Sequence, residues 1–349
     1  MTAATTALAE RDASRSDAPP PDLQGVRVHA PARLHFGFLD LHGGLGRRFG
    51  SIGLAVDAPA VTLEARAAPR LSVEGPEAER ALAYAKAAAG HLGIPETGAI
   101  LIAETIPPHA GFGSGTQLAL AVAAALAFIA RRPFAPEDFA DALDRGNRSG
   151  VGLAAFTEGG LIVDGGRDDS GAPPPVVARL AYPEAWRVVL ILDTGMTGVH
   201  GKREIAAFRD LPRFPEREAA EICRLVLMQA MPACVVADAP AFGAAITAVQ
   251  RMIGDHFAPH QGGRYASPAV AEALAAVAAR GVPGYGQSSW GPTGFVLLGS
   301  EAEAQSLVAD LEGRGGDRLR FLVARGRNEG AWIGTLREGE NRPAGPGMG

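Results

Sequence analysis

The segment Ile106-Pro-Pro-His-Ala-Gly-Phe-Gly-Ser-Gly-Thr-Gln117 sets three glycines, a serine and a threonine where a strand-like stretch gives way to an all-apolar run. Glycines at that spacing let the backbone fold tightly. A helix starting there points free N–H groups, and the positive end of its dipole, out of the turn. Phosphate oxygens suit such a place, with Gly111, Gly113, Ser114, Gly115 and Thr116 as the contacts. A glycine-rich connection that only starts an alanine-rich helix against a sheet would look the same in isolation. No Gly-Lys-Ser/Thr ending follows, so this is not a Walker loop, and the spacing is not the G-x-G-x-x-G of dinucleotide folds.

Other candidates lie along the chain. Arg33 and His35 stand two apart in a strand-like segment and so share one face of a sheet. A guanidinium there makes a planar two-point contact with a carboxylate, and Arg148 offers a second. The loop Leu192 to Glu204 follows an apolar strand and holds Asp193, His200, Lys202, Arg203 and Glu204. Lys202 is one of only two lysines in an arginine-rich chain. An exposed charged turn would account for this cluster. The sharper reading makes Lys202 and Arg203 phosphate contacts, with Asp193 or Glu204 near a divalent metal. The remaining histidines show no metal-ligand spacing such as H-E-x-x-H.

These residues need elements to hold them. Strands are predicted at 26–30, 34–39, 52–56, 61–65, 99–105, 186–192, 294–298 and 319–323. Helices are predicted near 77–91, 216–231, 240–254, 267–279 and 302–311, and the glycine turn connects a strand to a buried helix. With 349 residues the chain exceeds the size at which single cores stop growing, so two lobes with a cleft are expected. The polar, proline-containing stretch 168–175 is the predicted boundary between a domain at 25–167 and one at 176–337. Residues 1–24 and 338–349 read as a disordered and a mobile tail.

Charge and composition exclude several classes. The 33 basic and 38 acidic residues are interspersed and sum to −5, so no basic face exists for nucleic acid. No apolar run reaches the roughly 18 residues of a membrane span, and no signal peptide is evident, so the expectation is a cytoplasmic protein. Cys223 and Cys234, without C-x-x-C spacing, are predicted to be buried thiols.

Three segments in order resemble the GHMP kinase superfamily from about Val26 to Trp332: Ala30-Pro-Ala-Arg-Leu-His-Phe-Gly-Phe38, Pro108 to Thr116, and Gly284-Tyr-Gly-Gln-Ser-Ser-Trp-Gly-Pro-Thr-Gly-Phe295. The resemblance implies a two-lobed α+β fold, with an N-terminal lobe like ribosomal protein S5 domain 2 and an α/β C-terminal lobe. It also gives His35 a proton-handling or phosphate-binding role. Kinases of this superfamily usually carry Ser-Gly-x-Asp where this chain has Ser149-Gly-Val-Gly152. A glycine cannot orient a hydroxyl or take its proton, so kinase chemistry loses its usual base. Trp290 also departs, in a stretch where kinases are small and glycine-rich.

A non-kinase branch, the β-ribofuranosylaminobenzene 5′-phosphate synthases, is similar through Ala32-Arg-Leu-His-Phe-Gly-Phe-Leu-Asp40, Arg148-Ser-Gly-Val-Gly152 and Gly286-Gln-Ser-Ser-Trp-Gly-Pro-Thr293. That resemblance implies joining 5-phosphoribosyl diphosphate to 4-aminobenzoate or 4-hydroxybenzoate, with loss of carbon dioxide and diphosphate. It implies Mg2+, no ATP, and a homodimer. Arg33, His35 and Arg148 then become the catalytic set. Ser149 joins the phosphate contacts, and Phe36, Gln287, Ser288 and Trp290 form the aromatic pocket. Two rivals remain: a small-molecule kinase in which Asp144 or Asp164 replaces the missing base, and a phosphosugar-binding protein without catalysis.

Overall fold

The computed structural model describes residues 25–142, 149–170, 172–196, 198, 211–312 and 318–336. Arg148, Lys202, Arg203, Glu204, Asp144 and both expected tails lie outside the described residues.

The chain opens with a long antiparallel pair, β1 (Gly25–Asp40) and β2 (Phe49–Arg66). The four short strands expected here run together into these two. Pro31 does not break β1, because a register shift between Pro31 and Ala32 absorbs its missing N–H. A second shift between His35 and Gly37 bends the strand beside His35.

Around this pair grow β3 (Ser72–Glu74), β4 (Ala99–Glu104), β5 (Leu161–Asp164) and β6 (Val176–Leu180). The strand order is β11-β1-β2-β4-β3, where β11 is Trp332–Leu336, and β5 pairs with both β2 and β6. Sheet membership therefore cuts across the boundary expected at 168–175: β6 and β11 both return to the first sheet. The second sheet runs β10 (Leu319–Arg325), β7 (Arg187–Asp193), β9 (Thr293–Leu298), β8 (Gly284–Gln287).

Helices α1 (Ala78–Leu92), α2 (Ser114–Ile129), α3 (Pro136–Ala142) and α4 (Val151–Thr157) belong to the first lobe. Then come α5 (Glu216–Leu225), a π-helical turn at Val226–Ala230, α6 (Met231–Val235), α7 (Ala239–Gln261), α8 (Pro268–Ala279) and α9 (Glu301–Leu311). Asp238, Ser267 and Ser300 each accept a backbone N–H at the start of α7, α8 and α9, which fixes where those helices begin. Every residue of α2 from Gln117 to Ala127 is buried. A helix apolar on all sides must be enclosed, and α2 packs on α1, β1 and β2.

The two lobes share one interior. On β1, Val28, Ala30, Ala32, Leu34 and Phe36 are fully buried. Phe36 meets Phe242 of α7 and Phe295 of β9. Gln250 of α7 ties both lobes together: its Nε2 donates to the Phe36 carbonyl at 2.5 Å and its Oε1 accepts from Gln287 N at 2.7 Å. Cys234 is buried as expected, but Cys223 is exposed, with its Sγ 3.8 Å from the Leu39 carbonyl. Among the described residues no helix is long and apolar enough to cross a membrane.

Candidate functional site

The turn predicted to hold phosphate is a left-handed one. Gly111 has φ +93° and Gly113 φ +76°, values that residues with a Cβ rarely adopt. Gly113 caps α2 through its backbone alone, with no side-chain cap. The Thr116 and Gln117 amides bond to the Gly113 carbonyl at 3.0 and 3.2 Å. Those of Ser114 and Gly115 precede the first in-helix acceptor and sit at a partly exposed surface. The turn thus offers two amides and a helix dipole to an anion.

Three other segments brace it. From β1, Arg33 Nη1 donates to the Gly111 carbonyl at 2.5 Å, and Arg33 N donates to the Phe112 carbonyl at 3.0 Å. From the glycine-rich strand-turn at 284–295, Ser288 Oγ donates to the same Gly111 carbonyl at 2.7 Å and accepts from His35 N at 3.1 Å. A Cβ on Gly291 would stand 2.3 Å from Ala110 backbone, so only glycine permits that closeness. From the loop after β7, Gly198 N donates to the His109 carbonyl at 3.0 Å.

The position where related kinases place a carboxylate also meets the turn. A Cβ at Gly152 would lie 3.4 Å from Thr116 Cγ2 and 3.6 Å from its Oγ1. Buried Gln117 fixes the approach, since its Nε2 donates to the Gly152 carbonyl at 2.7 Å. The chain therefore brings residue 152 to the phosphate turn and supplies no acid there.

His35 is 3% exposed and its Nε2 lies 3.1 Å from Ser51 Oγ. Burial, aided by the charge of Arg33, pushes its pKa down to about 3, so the imidazole is neutral near pH 7. Ser51 in turn bonds to Asp164, its neighbour on β5. Asp164 is fully buried and accepts from Gly150 N (2.9 Å), Gly166 N (3.0 Å) and Ser149 Oγ (3.2 Å). Burial pushes its carboxyl above the usual range, against the pull of those hydrogen bonds. Ser149 thus serves the entry of α4, through Asp164 and Val151 N.

Several expected roles change with the geometry. Arg33 gives Nη1 to the Gly111 carbonyl and so braces the turn. Phe36 lies on the opposite face of β1 from Arg33 and His35, in the core against Phe242 and Phe295. Gln287 spends its amide internally, accepting from Ala266 N at 2.6 Å and donating to the Ser289 carbonyl at 2.9 Å. Trp290 is 4% exposed and packs on Phe257, ring centroids 4.4 Å apart. It borders a narrow cavity of about 30 Å³ with His35, Gln250 and Gln287.

Asp193 does not fit a metal ligand. Arg318 grips both its oxygens at 2.9 Å, Ser267 Oγ donates to Oδ2 at 2.6 Å and Gly195 N to Oδ1 at 2.9 Å. Burial opposes the charge, yet these bonds outweigh it and hold the carboxyl below its usual range. Among the described residues no three metal-ligating side chains converge. Sequence reasoning missed Ser51, Gln117 and Arg318, whose partners lie far away in the chain and leave no local signal.

Residues 78–160 match the family described as the GHMP kinases N terminal domain. Among solved structures, mevalonate diphosphate decarboxylase from Staphylococcus aureus superposes with a TM-score of 0.64 at 14% identity, covering 89% of this chain and 98% of that one. Mevalonate kinase from L. major gives 0.64 at 14% identity, covering 86% and 96%. At those identities the likeness concerns the fold alone.

Two relatives go further. A protein of Methanothermobacter thermautotrophicus named beta-ribofuranosylphenol 5′-phosphate synthase is 30% identical over 329 residues, covering 88% of this chain and 98% of that protein. A protein of the same name from Archaeoglobus fulgidus is 31% identical over 324 residues, covering 88% and 99%. The shared fold and this kinship along nearly the whole length place the chain in the beta-ribofuranosylphenol 5′-phosphate synthase family, within the GHMP superfamily.

Proposed function

We propose that this protein transfers a phosphoribosyl group from 5-phosphoribosyl diphosphate to 4-aminobenzoate or 4-hydroxybenzoate with loss of carbon dioxide, an early step toward tetrahydromethanopterin-type one-carbon carriers. The observation that carries the reading is Gly152, which meets Thr116 at the phosphate turn where a kinase needs its base. The glycine turn is retained, and at residue 152 the usual acid is replaced by glycine.

The reaction needs no base. The C1–oxygen bond of the ribose breaks, and diphosphate leaves with the electron pair. The ring carbon bearing the carboxylate, made electron-rich by the para amino or hydroxyl group, bonds to C1. The bond to carbon dioxide then breaks and returns its electrons to the ring. The carboxylate departs where an ordinary aromatic substitution would lose a proton, so no residue must take one up. A neutral, buried His35 is compatible with that chemistry. Charge growing on the departing diphosphate is met by the Ser114 and Gly115 amides and the α2 dipole. Arg33 and Ser288 hold the turn through the Gly111 carbonyl. Magnesium as companion of the diphosphate, and independence from ATP, belong to the same proposal, and no step is routed through Asp193.

The kinase reading finds little support: Asp164 is fully buried and spends its carboxylate on Gly150, Gly166 and Ser149. The test incubates the protein with magnesium, phosphoribosyl diphosphate and either carboxyl-labelled acid, following labelled carbon dioxide and diphosphate together. Matched release is expected. Release of neither from folded protein overturns the proposal, as does turnover that depends on ATP.

A further inference from the structure

The synthase reading, on which this inference rests, needs a place for an arene carboxylate, and Arg33 already gives Nη1 to the Gly111 carbonyl. The carboxylate must be held by a cation and then released as neutral carbon dioxide, which calls for cations among apolar walls. A recess of about 620 Å³ between the 41–49 loop, the 211–214 segment and the C-terminal part of α7 has that composition. The volume is in the range of small-molecule sites. Arg48, Arg213 and His42 line it, with Phe49, Phe214 and Phe257 as walls.

The cations are available. Arg48 lies over Gly43 and beside the ring of Phe49, 5.9 Å from its centroid. Arg213 uses Nε on the His42 carbonyl at 3.3 Å, and among the described residues no carboxylate pairs with either guanidinium. Of the acids nearby, Asp40 Oδ1 accepts from the His42 and Gly43 amides, Asp168 pairs with Arg47, and Asp169 lines an adjoining recess with Arg48 and Arg167.

The recess also borders the site. Phe257 lies between it and Trp290, whose glycine-rich segment holds the phosphate turn. His35, Phe38 and Phe49 form a second chain of ring contacts, with centroids 4.7 and 5.7 Å apart. A phosphate would gain nothing from three aromatic walls, whereas a benzoate uses walls and cations together.

We infer that this recess, with Arg48 and Arg213 as its cations, is the subsite for the carboxylated ring of the acceptor. The test titrates 4-aminobenzoate against full-length wild type, Arg48→Met, Arg213→Met and, as control, Arg224→Met, then measures KM for both substrates. Methionine keeps the apolar stem, and Arg224 sits on α5 paired with Glu221. The expected result is at least tenfold weaker acid binding in both recess variants, with KM for phosphoribosyl diphosphate within twofold and the control unchanged. Acid affinity equal to wild type in both recess variants overturns the inference alone. A rise in KM for phosphoribosyl diphosphate instead assigns the recess to phosphate and also overturns it. Wild type that binds neither 4-aminobenzoate nor 4-hydroxybenzoate overturns the inference and the synthase reading together.

Discussion

The Ser288 hydroxyl donates to the Gly111 carbonyl at 2.7 Å across 177 residues of chain, and the same oxygen accepts the His35 amide. One side chain thus sets the spacing between β1, the glycine-rich segment and the phosphate turn. Ser288→Ala leaves the buried His35 N–H without its partner, a loss of about 1–3 kcal/mol. Urea unfolding should show that drop, and inorganic diphosphate should bind about tenfold more weakly. Diphosphate affinity equal to wild type would show that the turn keeps its shape without this brace.

Gly113→Val tests the turn directly. At φ +76° a β-branched residue is strained, and its Cβ would stand 3.1 Å from Arg33 Cγ and 3.2 Å from Nε. The Arg33 contact with Gly111 should be displaced and the two open amides turned away. Diphosphate binding should become undetectable by calorimetry while circular dichroism stays close to wild type. Retained affinity would reduce the turn to a connection between strand and helix.

Gly152→Asp restores the acid of the related kinases at a place with room for it, since contacts of 3.4 to 3.6 Å to Thr116 are ordinary. The variant should fold. Its carboxylate would face the anion held by the turn, and at about 4 Å in an effective dielectric near 20 that repulsion reaches roughly 4 kcal/mol. Phosphoribosyl diphosphate KM should rise by up to about three orders of magnitude, read from initial rates. Unchanged KM would mean that the substrate phosphates sit elsewhere.

The tight turn before α2 and its glycine-rich brace were legible because close backbone approach writes itself as glycine, at Gly111, Gly113 and Gly291. The strand pairs were legible as apolar alternation, though β1 and β2 read as four short strands. What stayed hidden depends on distant partners. Asp193 at a strand end looks like a metal ligand until Arg318, 125 residues away, is seen to hold both its oxygens. The bond from Arg33 to the Gly111 carbonyl, 78 residues away, likewise shows only in the fold. Arg48 and Arg213 carry no local motif at all, because only tertiary packing brings a loop and a helix-leading segment around one recess. β11 was invisible for a related reason: its partner is β1, at the other end of the chain.

The neutral state of His35 makes a pH prediction whose sign follows from its pKa of about 3 in the fold and about 6.5 when unfolded. Between those values the unfolded chain binds a proton that the folded one refuses. Stability from this residue therefore falls as pH drops below about 6.5, by roughly 2 kcal/mol on reaching pH 5. His29 and His256 are depressed by burial too, so wild type alone does not isolate the effect. His35→Gln keeps a hydrogen-bonding side chain toward Ser51 and has no proton to gain in this range. Urea unfolding at pH 7 and pH 5 should show wild type losing about 2 kcal/mol more than the variant. Parallel losses would mean that the imidazole protonates as readily in the fold as outside it, and the neutral His35 in the proposed reaction would have to be given up.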